Sequence, residues 1–210
     1  MRYSSRMMTP ALLVGLAGFA LVSSITPGPN NLMLMASGTN FGFRRTLPHM
    51  LGVTSGFTLM VFLVGLGLAT TLQQVPYAFG VLQIASVAYL LYLAWRIATS
   101  VAPVGGVGPA AAARPMTALQ AVLFQWVNPK AWSMALTSVA VYCGQDRSAA
   151  TMALVAAVFG VINLPTVSLW AFVGSRLVTW LGDPARLQLF NRCAAALLVA
   201  SIYPVLRHVA

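Results

Sequence analysis

Five consecutive residues in the first apolar stretch are ones that an uninterrupted membrane helix would not contain: Pro27-Gly28-Pro29-Asn30-Asn31. The two prolines remove backbone donors and clash with the preceding turn, and each also biases the residue before it away from the helix. Irregular backbone persists at membrane depth only inside protein or beside a water-filled cavity. The motif therefore predicts a helix break that lines a cavity.

A second interruption, Asn128-Pro129-Lys130, falls within the fourth apolar stretch. Pro129 follows Pro29 by 100 positions, and the second and fifth stretches begin at about 46 and 149, so the breaks occupy corresponding places in two halves. Two interrupted membrane helices at corresponding positions are the sequence pattern that best indicates a transport site.

Broken helices supply the groups that an amino acid needs. The first N–H groups of a restarting helix suit a carboxylate, and the last carbonyls of an ending helix suit an ammonium group. Asn30, Asn31 and Asn128 add amide donors and acceptors. No acid lies in any predicted span to pair with Lys130, so we hypothesise that the substrate carboxylate pairs with it. The alternative is two simple kinks whose Asn side chains cap backbone, with Lys130 reaching a lipid headgroup.

The fifth apolar stretch contains Asn163, followed by Pro165. Two interpretations of Asn163 are open at this point. It lines the cavity as a further substrate-binding residue, or it hydrogen-bonds a neighbouring helix, as polar residues in membrane bundles often do.

The composition of this chain shows which environment it is suited to. Of its 210 residues, 59% are hydrophobic and 7% charged, against about 25% charged in soluble domains. The mean hydropathy is +0.83, which indicates a membrane protein.

The net charge of +10 comes from scattered basic residues between apolar stretches, so we expect no nucleic-acid partner. Cys143 and Cys193 form no redox pair, and with His49 and His208 they form no metal-ligand cluster, so no metal and no cofactor is predicted.

Hydropathy predicts an all-α, polytopic membrane protein in a single domain over 1–210. Its six spans are placed at about 10–38, 46–72, 76–97, 116–143, 149–174 and 187–206. The connector 98–115 resembles a linker between a first repeat, about 10–97, and a second, about 116–206. Because each repeat has an odd number of spans, the prediction is two inverted three-helix repeats with helices 1 and 4 interrupted.

Arginine distribution predicts the orientation. The connections on one side hold seven arginines: Arg44, Arg45, Arg96, Arg114, Arg176, Arg186 and Arg192. The side with both termini holds four: Arg2, Arg6, Arg147 and Arg207. The positive-inside rule therefore favours termini outside the cytoplasm.

The first apolar stretch could also be read as a cleaved secretory signal, but a retained first span is the stronger interpretation. Gly52 and Gly56 predict that their helix packs closely on another helix. A monomer and a homo-oligomer are both compatible with this pattern.

These motifs, the chain length and the six spans resemble the lysine-exporter (LysE/RhtB) family of amino-acid exporters. Phe41, Gly42, Arg44 and Arg45 after the first motif add to the resemblance. It implies a multi-pass protein of the bacterial cytoplasmic (inner) membrane that exports amino acids, driven by the proton motive force.

One position departs from that family. Many relatives carry an acid in the fifth span, where this chain has Asn163. Proton coupling would then need His49, Lys130 or an acid at the membrane edge such as Asp146, and the alternative is transport driven by another energy source. For His49 a structural or interfacial role is the alternative. The few charges within the predicted spans favour a neutral or hydrophobic amino acid over a cationic one.

Three other functions are alternatives to amino-acid export. The first is an exporter of another small solute, such as a metal cation. The sequence lacks the ligands that would bind a metal cation. A membrane thiol oxidoreductase needs a thiol pair that can exchange. A non-transporting assembly factor would retain its activity when Asn128 and Lys130 are replaced. We therefore predict a transporter rather than an enzyme.

Overall fold

The computed structural model describes residues 9–100, 114–143, 148–181 and 183–203. All regular secondary structure in these ranges is α-helical, which confirms the predicted all-α class. In chain order the helices are α1 (Pro10–Ile25), α2 (Pro29–Phe41), α3 (Phe43–Gly65), α4 (Leu68–Gln73), α5 (Ala78–Ala98), α6 (Ala118–Gln125), α7 (Pro129–Tyr142), α8 (Ala149–Leu181) and α9 (Pro184–Ala200). Most of the predicted linker 98–115 lies outside the described residues.

Several helices begin with a proline: Pro10 in α1, Pro29 in α2, Pro129 in α7 and Pro184 in α9. Proline suits the first helical position because its fixed φ is already helical and its missing N–H would have no partner there. The prolines that the sequence presents as helix breakers, Pro29 and Pro129, are therefore also the first residues of the helices that follow each break.

Within the described ranges, α3, α5 and α8 are long and apolar enough to cross a membrane. The pair α1 and α2 also qualifies as one span, bent by 53° at its break. The predicted second span, 46–72, is wrong at its end. There α3 stops at Gly65, because Gly67 takes a left-handed conformation (φ 107°), and α4 is a separate helix. The predicted fifth span, 149–174, is too short, since α8 continues to Leu181 through Pro165.

Packing follows one pattern in the two parts of the chain. The broken pair α1 and α2 packs on α8, and the broken pair α6 and α7 packs on α3. The two long helices α3 and α8 also contact each other, and α5 packs on α9. Each broken helix pair is thus held by the long helix from the other part of the chain.

Glycines bring the α3 and α6 backbones together. A Cβ atom at Gly52 would meet the carbonyl oxygen of Ala118, and one at Gly56 would lie 2.7 Å from Val122 Cα. The predicted close packing at this glycine pair is therefore confirmed, and its partner is a helix of the same chain.

The contact between α2 and α8 is equally close. A Cβ atom at Gly38 would meet the carbonyl oxygen of Ala171, and one at Gly174 would meet that of Met35. The hydroxyl of Thr39 donates to the carbonyl oxygen of Gly174 at 2.9 Å. Small residues and a hydrogen bond of this kind are what hold membrane helices together.

Candidate functional site

The two helix breaks lie beside each other. In the first, α1 ends at Ile25 and α2 begins at Pro29. In the second, α6 ends at Gln125 and α7 begins at Pro129. Side chains from each break contact the other, so residues about 100 positions apart form one polar centre.

Carbonyl groups at the end of α1 accept hydrogen bonds from side chains. The Asn31 amide nitrogen Nδ2 donates to the carbonyl oxygens of Ser24, at 2.7 Å, and Thr26, at 2.9 Å. The indole Nε1 of Trp170, on α8, donates to that of Ile25 at 3.2 Å. These bonds satisfy carbonyls that have no partner within the helix, which is why the break is tolerated in an apolar region.

Lys130 provides the charged partner for the same helix end. Its Nζ donates to the carbonyl oxygen of Thr26 at 2.5 Å and lies 3.5 Å from that of Pro27. Its side chain passes so close to Gly28 that a Cβ atom there would lie 2.6 Å from Lys130 Cδ. A cation at the C-terminal end of a helix meets partial negative charge. The partner of Lys130 is therefore a neutral but polar backbone carbonyl group. The sequence does not predict this partner.

Asn30 pairs with a residue that the sequence analysis did not select. Asn30 Nδ2 donates to Gln125 Oε1 at 2.9 Å, and Gln125 Nε2 donates back to Asn30 Oδ1 at 3.2 Å. Gln125 is fully buried and also donates to the carbonyl oxygen of Ala121 at 2.9 Å. Its position just before the Asn128-Pro129-Lys130 motif is the signal that could have identified it.

Asn128 is the N-cap of α7. Its Oδ1 accepts the backbone N–H of Lys130 at 3.1 Å, and the side chain is almost completely buried. Asn is among the preferred N-cap residues for this reason. The cap fixes the start of α7 and so the point from which the Lys130 side chain leaves the helix.

Asn163 both lines the cavity and joins neighbouring helices, so the two interpretations of this residue are compatible. Its Nδ2 lies 3.3 Å from the Ser24 hydroxyl on α1, and its Oδ1 accepts from the Thr54 hydroxyl on α3 at 3.2 Å. The amide therefore links α8 to both other helices at the level of the first break.

A narrow cavity lies between these groups. The space open to the centres of water molecules is about 20 Å³, which holds about one water molecule. The cavity is lined by Ser23, Ser24, Gly28, Asn30, Asn31, Phe57, Asn128, Lys130, Ala131, Met134, Asn163 and Val167. The predicted asparagines, Gly28 and Lys130 are thus brought together, whereas Pro27, Pro29 and Pro129 shape the breaks without lining the cavity.

The other residues predicted for proton coupling lie elsewhere. His49 is buried in α3 and is not among the cavity-lining residues, and neither of its ring nitrogens has a hydrogen-bond partner in the described part of the chain. Asp146 lies outside the described residues.

Comparison with known proteins identifies the family. The LysE type translocator family matches residues 21–201. The cysteine/O-acetylserine efflux protein of Escherichia coli (strain K12) is 34% identical over 136 residues, which cover 64% of this chain and 67% of that protein. The protein of that name from Shigella sonnei gives the same values. No solved structure gives a significant match. With both helix breaks inside the matched region, the chain belongs to the LysE type translocator family.

Proposed function

We propose that this protein is a secondary transporter that exports small neutral amino acids across the bacterial cytoplasmic membrane. The observation that carries the proposal is the meeting of two helix breaks, one between α1 and α2 and one between α6 and α7, at one polar cavity. Interrupted helices whose ends face a shared cavity are a recurrent construction of transporter binding sites. Family membership and the efflux function named for the two relatives support the same conclusion.

The proposed site matches both charged groups of an amino acid. No side chain caps the start of α2, so its first N–H groups, with Lys130, are placed in the proposal as partners for the carboxylate. The carbonyl oxygens of Thr26 and Pro27 are the proposed partners for the ammonium group. The substrate-binding residues are accordingly Pro27–Asn31, Asn128–Lys130 and Asn163, as the sequence predicts.

The lining of the cavity supports a neutral side chain on the substrate. Phe57, Ala131, Met134 and Val167 form its apolar wall. Lys130 is the one charged side chain among the described lining residues, so nothing there would pair with a cationic side chain. Cysteine and O-acetylserine, which the relatives' names specify, are small neutral amino acids that fit this description and are the first substrates to test.

We propose the six-span inverted repeat as the architecture of this transporter. The supporting observation is the exchange of partners, in which α1 and α2 pack on α8 while α6 and α7 pack on α3. The fourth span would be the broken pair α6 and α7, and the sixth would include α9. The arginine distribution supports termini on the outer side.

Proton coupling is a further part of the proposal, with His49, Lys130 and Asp146 as the candidate residues. His49 is the first of these to test, because an unperturbed histidine changes charge between about pH 5 and 8 and α3, in which it lies, contacts α2, α6 and α7. Lys130 is engaged with the end of α1.

Export is tested in cells that express the protein and are fed a panel of dipeptides, with each amino acid measured in the medium over time. We expect cysteine or another small neutral amino acid to leave faster than in cells that express Lys130→Ala at the same level. If no amino acid leaves faster than in cells with an empty vector, the proposed function is wrong. Equal rates for the wild type and Lys130→Ala would remove Lys130 from the site.

A further inference from the structure

We propose that Lys130 is a tethered occupant of the position where the substrate's ammonium group binds, and that it fills this position whenever the carrier is empty. This inference rests on the proposed function, since it concerns the same cavity. It adds a role for Lys130 in the return of the empty carrier, which substrate binding alone does not require.

The first argument is chemical identity. The lysine side chain ends in a primary ammonium group with three N–H donors, as does the α-carbon substituent of a free amino acid. Lys130 Nζ lies 2.5 Å from the carbonyl oxygen of Thr26 and 3.5 Å from that of Pro27. Groups that bind one primary ammonium ion at the end of α1 will bind another in the same way.

The second argument is the fit of the side chain to its path. Gly28 leaves the space that the lysine chain occupies, because a Cβ atom there would lie 2.6 Å from Cδ and 3.1 Å from Nζ of Lys130. The Gly28 backbone is extended, with φ at −172°, a conformation that other residues adopt equally. A side chain at this position would therefore have to displace Lys130, whereas the backbone conformation itself does not call for glycine.

The third argument is exclusion. The Thr26 carbonyl oxygen already accepts from Lys130 Nζ and, at 2.9 Å, from Asn31 Nδ2, and a carbonyl oxygen has two lone pairs, so a substrate ammonium can take the position of Lys130 there only when Lys130 leaves. In the described lining no acidic side chain offers Lys130 another site. When substrate displaces it, the nearest anion for Lys130 is the substrate's own carboxylate.

This exchange of ammonium groups has a consequence for the transport cycle. An exporter must return empty, and the carbonyls of Thr26 and Pro27 then lack a substrate ammonium group as a partner. Lys130 satisfies those carbonyls during the return step, whereas the substrate does so during the export step. Net efflux, which includes the return of the empty carrier, should therefore depend on Lys130 more strongly than exchange, in which the carrier is loaded in both directions.

The test uses the full-length protein in liposomes loaded with radiolabelled cysteine that is kept reduced. Net efflux is measured into buffer without amino acid, and exchange into buffer with saturating unlabelled cysteine. For Lys130→Met we expect the ratio of net efflux to exchange to fall about tenfold or more, which corresponds to about 1.4 kcal/mol. An unchanged ratio, whether both rates fall together or neither falls, overturns the inference.

A second variant tests the inference without altering any charge and also covers the case in which Lys130→Met does not fold. Gly28→Ala should displace the lysine chain and lower the same ratio. The matched control is Gly18→Ala on α1, where a Cβ atom meets nothing within 4 Å and the ratio should stay at the wild-type value. A wild-type ratio in Gly28→Ala would contradict the inference.

The result also separates the two proposals. If the wild type moves no small neutral amino acid in either assay, the proposed function is wrong and the inference falls with it. If the wild type transports and Lys130→Met keeps the wild-type ratio, the inference alone is wrong and the transporter assignment stands.

Discussion

The amide groups of Asn30 and Gln125 exchange two hydrogen bonds across the two helix breaks, at 2.9 and 3.2 Å. Asn30 lies in the first turn of α2 and Gln125 is the last residue of α6. The pair is the shortest amide link between the two parts of the chain at the cavity, and it holds the start of one half-helix against the end of another.

A double-mutant cycle should detect this pair. Asn30→Leu or Gln125→Leu alone leaves the other amide, buried in Gln125 and half-buried in Asn30, without its cross-break partner, and each should lower the free energy of unfolding by about 1–3 kcal/mol. The double variant should be more stable than the two single losses imply, by about 0.6–1.7 kcal/mol, the range of coupling measured in membrane bundles. Unfolding in detergent by denaturant gives all four values. Strict additivity would show that the two amides do not interact.

The contact between α2 and α8 should be sensitive to a single methyl group. Gly174→Ala would place Cβ against the carbonyl oxygen of Met35, and such overpacking costs about 1–3 kcal/mol. We expect a lower midpoint of thermal unfolding in detergent. Gly80→Ala on α5 is the matched control, because a Cβ atom there meets nothing within 4 Å. Equal midpoints for the two variants would argue against the close approach.

Asn163 should affect the apparent affinity for substrate. Asn163→Leu removes the partner of the Ser24 and Thr54 hydroxyls and one polar wall of the cavity, so we expect the KM for export to rise about tenfold, equivalent to about 1.4 kcal/mol.

The control for this variant is Asn191→Leu. Asn191 is also fully buried, but it pairs with Asn40 and the carbonyl oxygen of Ser100 at the other end of α2. It should reduce the amount of folded protein while KM keeps its wild-type value. A similar KM in the two variants would mean that Asn163 acts only in packing.

His49 should determine how export responds to a pH gradient. Glutamine keeps the polarity and approximate size of histidine but cannot take up a proton near neutral pH. In liposomes that hold substrate, we expect His49→Gln to lose the stimulation of efflux that an acidic exterior gives the wild type. His208→Gln, the change at the other histidine of the sequence, is the control and should keep that stimulation. Full stimulation in His49→Gln would leave Lys130 and Asp146 as candidates.

The breaks could be predicted from the sequence because their cause is local. Proline and glycine change the backbone wherever they occur, so the motifs at Pro27 and Pro129 indicate interruptions without knowledge of any neighbour. The same locality explains an error. Gly67 also ends a helix, but a lone glycine in an apolar stretch has no distinctive signal, so the sequence-based second span extends to 72.

The partners of the site residues could not be predicted, because they come from distant parts of the chain. Lys130 needed an anion by sequence reasoning, yet its partner is a backbone carbonyl at Thr26, and carbonyls are present at every residue. Gln125 is one of several glutamines, and only its proximity to Asn30 distinguishes it. Hydrogen bonds between chemically common groups depend on how the helices pack, which residue types alone do not encode.

The narrowness of the cavity determines where the molecule has to bend. Room for about one water molecule is far less than an amino acid occupies, so loading requires movement. The backbone contacts at Gly38 and Gly174 hold α2 closely against α8, so we expect the movement to occur at the short connection between Ile25 and Pro29. This movement would change the 53° angle between α1 and α2. The distance between two spin labels, one on each helix, would report that change.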